Sequence, residues 1–401
     1  MTITKRIALG ILSFILGICT SEAQELYDNP YQWQIPGGMY IDPVSFFSMH
    51  GYVNAVYAGP SEEWMQGNFN GIGMPGQLIV PNTNVGSFSN DEALWISSEL
   101  GNYGSVVMEL HLVNDPSGRG AAGPGGLTIV LTEANLRYKL ISKHLAISAG
   151  TFWSVFGIQN QDWLGAQNLF STLPLASGAY PTHLNEKGLR IDGSFDKGDW
   201  GLNYVMSLGN GFNAFDISGY TSFDLNENKM FNGRLSLFPG LGEDLNIGFS
   251  YSNGLLSRAS SNNDSLGQAA YDNLFQAFGA DLTWNIQNLK FRGYLIASRE
   301  RLEKPNSQLD LNHLGMMGEI SYRFELSKYK SVDALVPKIR FDYLDKSQFV
   351  AANDDQYNSV SFGLNIQIRE DYLFSLDYSL INEQQLPLNN NRFIARFSAS
   401  F

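Results

Sequence analysis

A single cysteine in 401 residues rules out a disulfide framework, and with it any zinc site built on two or more thiolates. Charge is scarce as well: Asp, Glu, Lys and Arg make up 16% of the chain, against roughly 25% in ordinary soluble domains. Bases are the scarcer sign, 26 against 39 acids, and the net −13 excludes binding driven by neutralising nucleic-acid phosphates. No stretch reaches 18 uninterrupted apolar residues, so no helical membrane span is expected. The histidines (His50, His111, His144, His183 and His313) include no pair at the spacing of a metal-binding helix. A Gly-x-Ser-x-Gly elbow and a phosphate-cradling loop are missing too, so neither an enzyme nor a bound cofactor is expected. What the chain does have is 40 Gly, 13% aromatic and 44% hydrophobic residues, which excludes disorder.

Residues 1–23 read as a secretory leader. Lys5 and Arg6 start it, Ile7 to Ile18 form its apolar stretch, and Ser21-Glu22-Ala23 supplies a small-x-small cleavage pattern. Twelve apolar residues are too few to span about 30 Å of hydrocarbon. Acylation at Cys19 would call for a small residue where Ile18 stands. Residues 24–43 then form a periplasmic N-terminal segment ahead of a body at 44–401.

Across that body polar and apolar residues alternate with a period of two. In 127–140, Thr128, Val130, Thr132, Ala134, Leu136, Tyr138 and Leu140 oppose Glu133, Asn135, Arg137 and Lys139. The pattern recurs at 46–57, 93–100, 105–113, 145–153 (with Leu145, Ile147, Ala149 and Trp153 in the apolar phase), 188–195, 200–208, 231–238 and 245–252. It continues at 275–285, 289–297, 314–325, 338–344, 357–368, 372–380 and 392–401, which makes sixteen strands. Connections sort by length. Those at 101–104, 141–144, 196–199, 239–244, 286–288 and 369–371 are short; most of the others are long, such as 58–92, 154–187, 209–230 and 298–313. The long connection 326–337 falls among the short ones. Short turns on one rim, long loops on the other and an even strand count describe an all-β, sixteen-stranded antiparallel transmembrane barrel with periplasmic turns and extracellular loops.

Tyr138, Trp200, Trp284 and Tyr372 lie beside short turns in the apolar phase, where a lipid-facing aromatic girdle belongs. If that phase faces lipid, the other faces a polar, water-filled interior. The pore-lining set is then Arg137, Arg190, Arg234, Lys290, Arg292, Arg323, Arg340, Arg396, Glu109, Glu133, Asp192 and Glu319. Lys139, Lys338, Arg392, Glu99, Asp281, Asp342 and Asp377 share its phase, and Tyr52, Trp95 and Tyr294 are inward aromatics. Inward bases outnumber inward acids. This excess favours anions, unless the charges pair along the wall and cancel. The connection 154–187 carries Trp163, Leu164, Leu169, Phe170, Leu173, Pro174, Leu175 and Tyr180. So apolar a loop needs cover. It either folds inward as a constriction or packs on a neighbouring subunit or on its own barrel top.

Three segments resemble the phosphate-selective porins of type O and P: Gly150–Gly157 (GTFWSVFG), Glu186–Phe195 (EKGLRIDGSF) and Tyr204–Gly211 (YVMSLGNG). Val155 departs from the Pro expected there, and the long loops hold no dense lysine cluster. The resemblance implies a sixteen-stranded, commonly trimeric diffusion channel. The last strand, with Phe393, Phe397 and Phe401, is similar to the signal that outer-membrane barrels present to the barrel-assembly machinery. Taken together, these features lead us to expect a passive porin for small hydrophilic solutes, with an anion preference, in the outer membrane of a Gram-negative bacterium. Its surroundings would be outer-membrane lipid and lipopolysaccharide. A sugar- or organic-acid-specific channel is the alternative; a lipid-hydrolysing barrel enzyme is the remoter one.

Overall fold

The alternation is realised as a closed ring of strands. The structure, a computed structural model, describes residues 48–58, 87–100, 103–115, 126–158, 169–180, 185–210, 229–240, 244–257, 272–304, 307–326, 332–346, 355–369, 371–384 and 391–400. The expected leader at 1–23, the segment 24–43 and Phe401 lie outside these residues.

The strands are β1 (Ser48–Ala58), β2 (Ser87–Leu100), β3 (Gly104–Asp115), β4 (Gly126–Ile141), β5 (Leu145–Trp153), β6 (Asn185–Lys197), β7 (Trp200–Gly209) and β8 (Met230–Phe238). The second half holds β9 (Leu245–Ser257), β10 (Asp272–Ile286), β11 (Leu289–Lys304), β12 (Ser307–Tyr322, resumed at Phe324–Glu325), β13 (Ala334–Lys346), β14 (Asp355–Ile368), β15 (Tyr372–Glu383) and β16 (Arg392–Ser400). Each pairs antiparallel with the next, and β16 closes on β1 from Tyr52↔Ser400 to Ala58↔Ile394. Closure satisfies the edge strands that an open sheet would leave exposed. The break in β12 has a local cause. Continuing the register from Ser321↔Lys338 to Phe324↔Leu335 sets Tyr322 against Pro337, which has no N–H to donate.

Several expected connections are shorter than the sequence suggested, among them 298–313 and 326–337. The stretch 298–313 is mostly strand, because β11 runs to Lys304 and β12 begins at Ser307. Polar residues there continue the alternation past the apolar belt, so hydropathy alone ended the strands early. Similarly, β13 starts at Ala334, and Leu326 N–H already bonds Asp333 O at 2.7 Å, which shortens the connection 326–337. The tight turns use left-handed backbone at Ser142, Gly198, Gly240, Gln287 and Arg369.

The outer face carries exposed apolar side chains, among them Leu136, Leu189, Leu208, Phe249, Phe278, Leu295, Phe341, Phe362 and Phe397. Tyr138, Trp200, Trp284 and Tyr372 are exposed at the turn end of that face, joined there by Tyr103, Tyr322 and Phe324. The inner face carries the charges. Thr132 departs from the expected phase. A bulge in the β3–β4 register at Glu109/Leu110 turns it inward, fully buried, and puts Leu131 outside.

Candidate functional site: a segment latched inside the barrel

Residues 154–158 leave β5 and, with 169–180, lie against the inner wall. Together they touch every strand from β8 to β15. Gly157 N–H donates to Ser250 Oγ on β9 at 3.0 Å. Tyr180 stacks on Phe156 at 3.9 Å and meets Phe275 of β10 at 5.8 Å. Its hydroxyl donates to Asn232 Oδ1 on β8 at 3.2 Å. Next to it a 3-10 turn, Leu175–Ala179, packs on β11 to β13. Ser298 Oγ of β11 donates to Ala179 O. On β12, Gly315 lets the turn approach: a Cβ there would overlap the Ala176 carbonyl oxygen.

The other end of the segment is held by charge. Phe170 lies under both Lys338 Nζ and the Arg340 guanidinium of β13, each 4.6 Å from its ring centroid. Arg340 donates to Thr172 O at 2.8 Å and to Thr172 Oγ1 at 3.0 Å. Lys338 and Asn365 of β14 both donate to Leu169 O, the second at 3.0 Å. Ser171 N–H donates to Asp377 Oδ2 of β15 at 2.7 Å. Backbone carbonyls and amides that would otherwise be desolvated in the lumen thus find charged partners, which makes these hydrogen bonds among the stronger kind. Gly363 leaves space for the Lys338–Asp377 pair, since a Cβ there would meet both side chains.

The inner wall under the segment is therefore not uniformly polar. Phe275, Ala277, Ile296, Met317, Leu344 and Tyr357 form a buried apolar cluster with Phe156, Ala176, Ala179 and Tyr180. The expectation of a polar interior fails here, because the segment supplies an apolar surface for these residues to bury against.

The twelve residues expected to line the pore sit on the inner face in different settings. Arg137 pairs with Asp192 at 2.6 Å, and Arg190 lies 3.6 Å from the same carboxylate. Arg234 pairs with Asp281, Arg292 with Glu319 at 3.3 Å, and Arg340 with Asp342 at 2.8 Å. Glu109 accepts from Trp153 Nε1 at 2.5 Å and faces Glu133, which accepts from Asn135 at 2.6 Å. Trp153 therefore points inward and not into the apolar phase expected of it: β5 ends at this residue, where the chain leaves the wall, while Phe152 before it keeps the inner phase. Arg396 is buried on β16, with Nη2 donating to Ser375 Oγ at 3.3 Å. Two residues lie at the turn rim. Lys290 is exposed beside the 287–288 turn, and Arg323 occupies the β12 break, bonding Glu325 and Gln367.

Glu186 and Asn232 belong to the site and were missed. Asn232 Nδ2 and Ser207 Oγ donate to the two Glu186 oxygens at 2.5 and 2.7 Å, under Tyr180. Extending the alternation of β6 back through Gly188 would have put Glu186 inward.

No family model matches the sequence, and no curated protein matches it. Solved structures do share the fold. OmpF of Salmonella typhi, in complex with daunomycin, superposes with a TM-score of 0.57 at 10% identity, covering 88% of this chain and 97% of its own. An anion-selective porin from Comamonas acidovorans gives 0.54 at 11%, covering 88% and 99%. OmpT of Vibrio cholerae, in a trimer form, gives 0.56 at 7% with the same coverage. The chain thus has the fold of the sixteen-stranded porin barrels.

Proposed function

We propose that the protein is an outer-membrane porin of a Gram-negative bacterium through which small hydrophilic solutes diffuse passively. The observation that carries this is the polarity of the closed barrel: large apolar side chains exposed outside, charges gathered inside. An exposed apolar surface of that extent fits hydrocarbon and not water. The segment 169–180 is the constriction, and the solute path runs along the wall it leaves uncovered, β16 and β1–β7. Arg137, Arg190 and Glu133 border that path, with the buried Glu109, Asp192 and Arg396 on the same wall behind them. Because most inward bases have an acid beside them, the anion preference is slight. Resemblance to the phosphate-selective porins supports a trimer, but the paired lumen gives phosphate no cluster of its own. Residues 1–23 export the chain, and the C-terminal strand hands it to the assembly machinery.

Conductance of the purified protein in planar bilayers, with reversal potentials in a KCl gradient, tests the proposal. Stepwise openings with a small reversal potential on the anion side are expected. A folded, heat-modifiable barrel that never conducts would overturn it. Gly315→Val, which forces the Ala176 backbone off the wall, should enlarge the openings several-fold if 169–180 is the constriction.

A further inference from the structure

The outer face of β11 alternates without a break from Leu289 to Arg301. Arg292, Tyr294, Ile296, Ser298 and Glu300 are buried inside, while Leu289 and Leu295 are exposed outside. At the loop end this outward phase changes from apolar to basic, at Arg299 and Arg301. Directly opposed residues of an antiparallel pair share a face. Asn312 and Asp310 of β12 stand opposite these two arginines, above the apolar Leu314 and Met316. Asp310 receives Arg299 Nη2 at 2.5 Å and Arg301 Nε at 3.2 Å, so one carboxylate holds two partly exposed guanidiniums side by side. The group keeps a net positive charge and further N–H donors.

The neighbouring strands complete a surface. Leu274 of β10 faces Arg301, and Leu255 of β9 faces Leu274. Beyond Leu255, the residue preceding β8 is the exposed Lys229. Three strand spacings, about 14 Å, separate Lys229 from Arg301, with the two leucines between them. One level toward the turn end, Asn253 and Gln276 are hydrogen-bonded at 3.2 Å. Phe231 stands beside Asn253, and with Tyr251 and Phe278 beneath it forms an outward aromatic ridge, with centroids 6.4 and 4.9 Å apart. Across the ring the described outward charge Glu92 on β2 is acidic, and on the adjacent β13 the acidic Asp345 stands beside Leu314 in the same outward phase.

We infer that β8–β12 carry an outer-leaflet docking site for a phosphate-bearing lipid. The phosphate sits on Arg299 and Arg301 with Lys229 flanking, and the acyl chains run over Leu255, Leu274 and the Phe231–Tyr251–Phe278 ridge. Guanidiniums bind phosphate oxygens through paired N–H groups, and aromatic side chains belong at the membrane–water boundary. A charged group at this place on a lipid-facing wall is tolerated because it meets headgroups, not hydrocarbon. This inference rests on the outer-membrane reading, which supplies the lipid.

The test measures lipid retention by native mass spectrometry after the folded barrel has been mixed with lipopolysaccharide or with the same lipopolysaccharide stripped of phosphate by phosphatase. The wild-type protein should retain the phosphorylated form about tenfold better, the weight of one charge-assisted contact of about 1.4 kcal/mol. Arg299→Glu/Arg301→Glu should abolish that preference while bilayer conductance stays unchanged, because neither residue faces the lumen. Asp310→Asn should strengthen retention. Equal retention of both lipids, or an undiminished preference in the folded double variant, overturns the docking site. Loss of conductance in the wild-type protein overturns the porin reading instead and leaves the lipid result to be read by itself.

Discussion

The two faces of β11, β12 and β13 are made by the same residues in alternation, yet they obey different rules. Outside, Leu295, Met316, Ile339 and Phe341 each stand exposed and need no partner in the chain. Inside, Arg292, Glu319, Lys338, Arg340 and Asp342 are almost wholly buried and are paired, and two of them also hold the backbone of 169–173. An outward side chain answers to a uniform medium, so its type alone decides its fitness. An inward one answers to particular partners, and its worth depends on where they are.

That contrast can be broken experimentally, and the largest effect should come from inside. Lys338→Met leaves Asp377 buried without the ammonium 2.6 Å away, and should cost about 3–5 kcal/mol of stability in urea titrations of the vesicle-embedded barrel. Adding Asp377→Leu should recover much of that loss, because the pair is then removed whole. Leu295→Arg on the outer face should cost about 2–4 kcal/mol by the same titration, with no partner able to rescue it. A far smaller cost would mean that Leu295 faces water or a neighbouring subunit. Ser361→Ala removes one inner hydroxyl that lies 2.7 Å from Ser379, and about 1 kcal/mol is expected. The smallest change concerns Arg323 and Glu325, an ion pair open to solvent at the turn rim; Glu325→Gln should shift stability by about 0–1 kcal/mol, less at high salt.

How far the sequence could be read follows the same division. All sixteen strands were legible, from Tyr52 in the first to Arg396 in the last, because a period of two against two different media is a local signal. Their loop ends were not, since Arg299, Arg301 and Asp310 continue the pairing after hydropathy has stopped marking it. Thr132 and Trp153 were assigned to the outer face; a bulge turned the first inward, and the end of β5 turned the second. One extra residue reverses a phase, and a strand end releases it; neither is visible in composition.

For the inner site, the sequence marked Lys338, Arg340 and Asp377 as inward, and 154–187 as too apolar to lie bare in water. Whether that connection would fold inward or pack elsewhere stayed open, as did the choice between a basic ladder and paired charges. Phe170 is some 170 positions away from Lys338 and Arg340, and Ser171 more than 200 from Asp377. The sequence by itself determined the barrel, its strand count and which face each residue prefers, because these follow from alternation along one strand. Tertiary structure alone decided which charges neutralise one another and where 169–180 comes to rest. Those outcomes depend on strands that meet only when the ring closes.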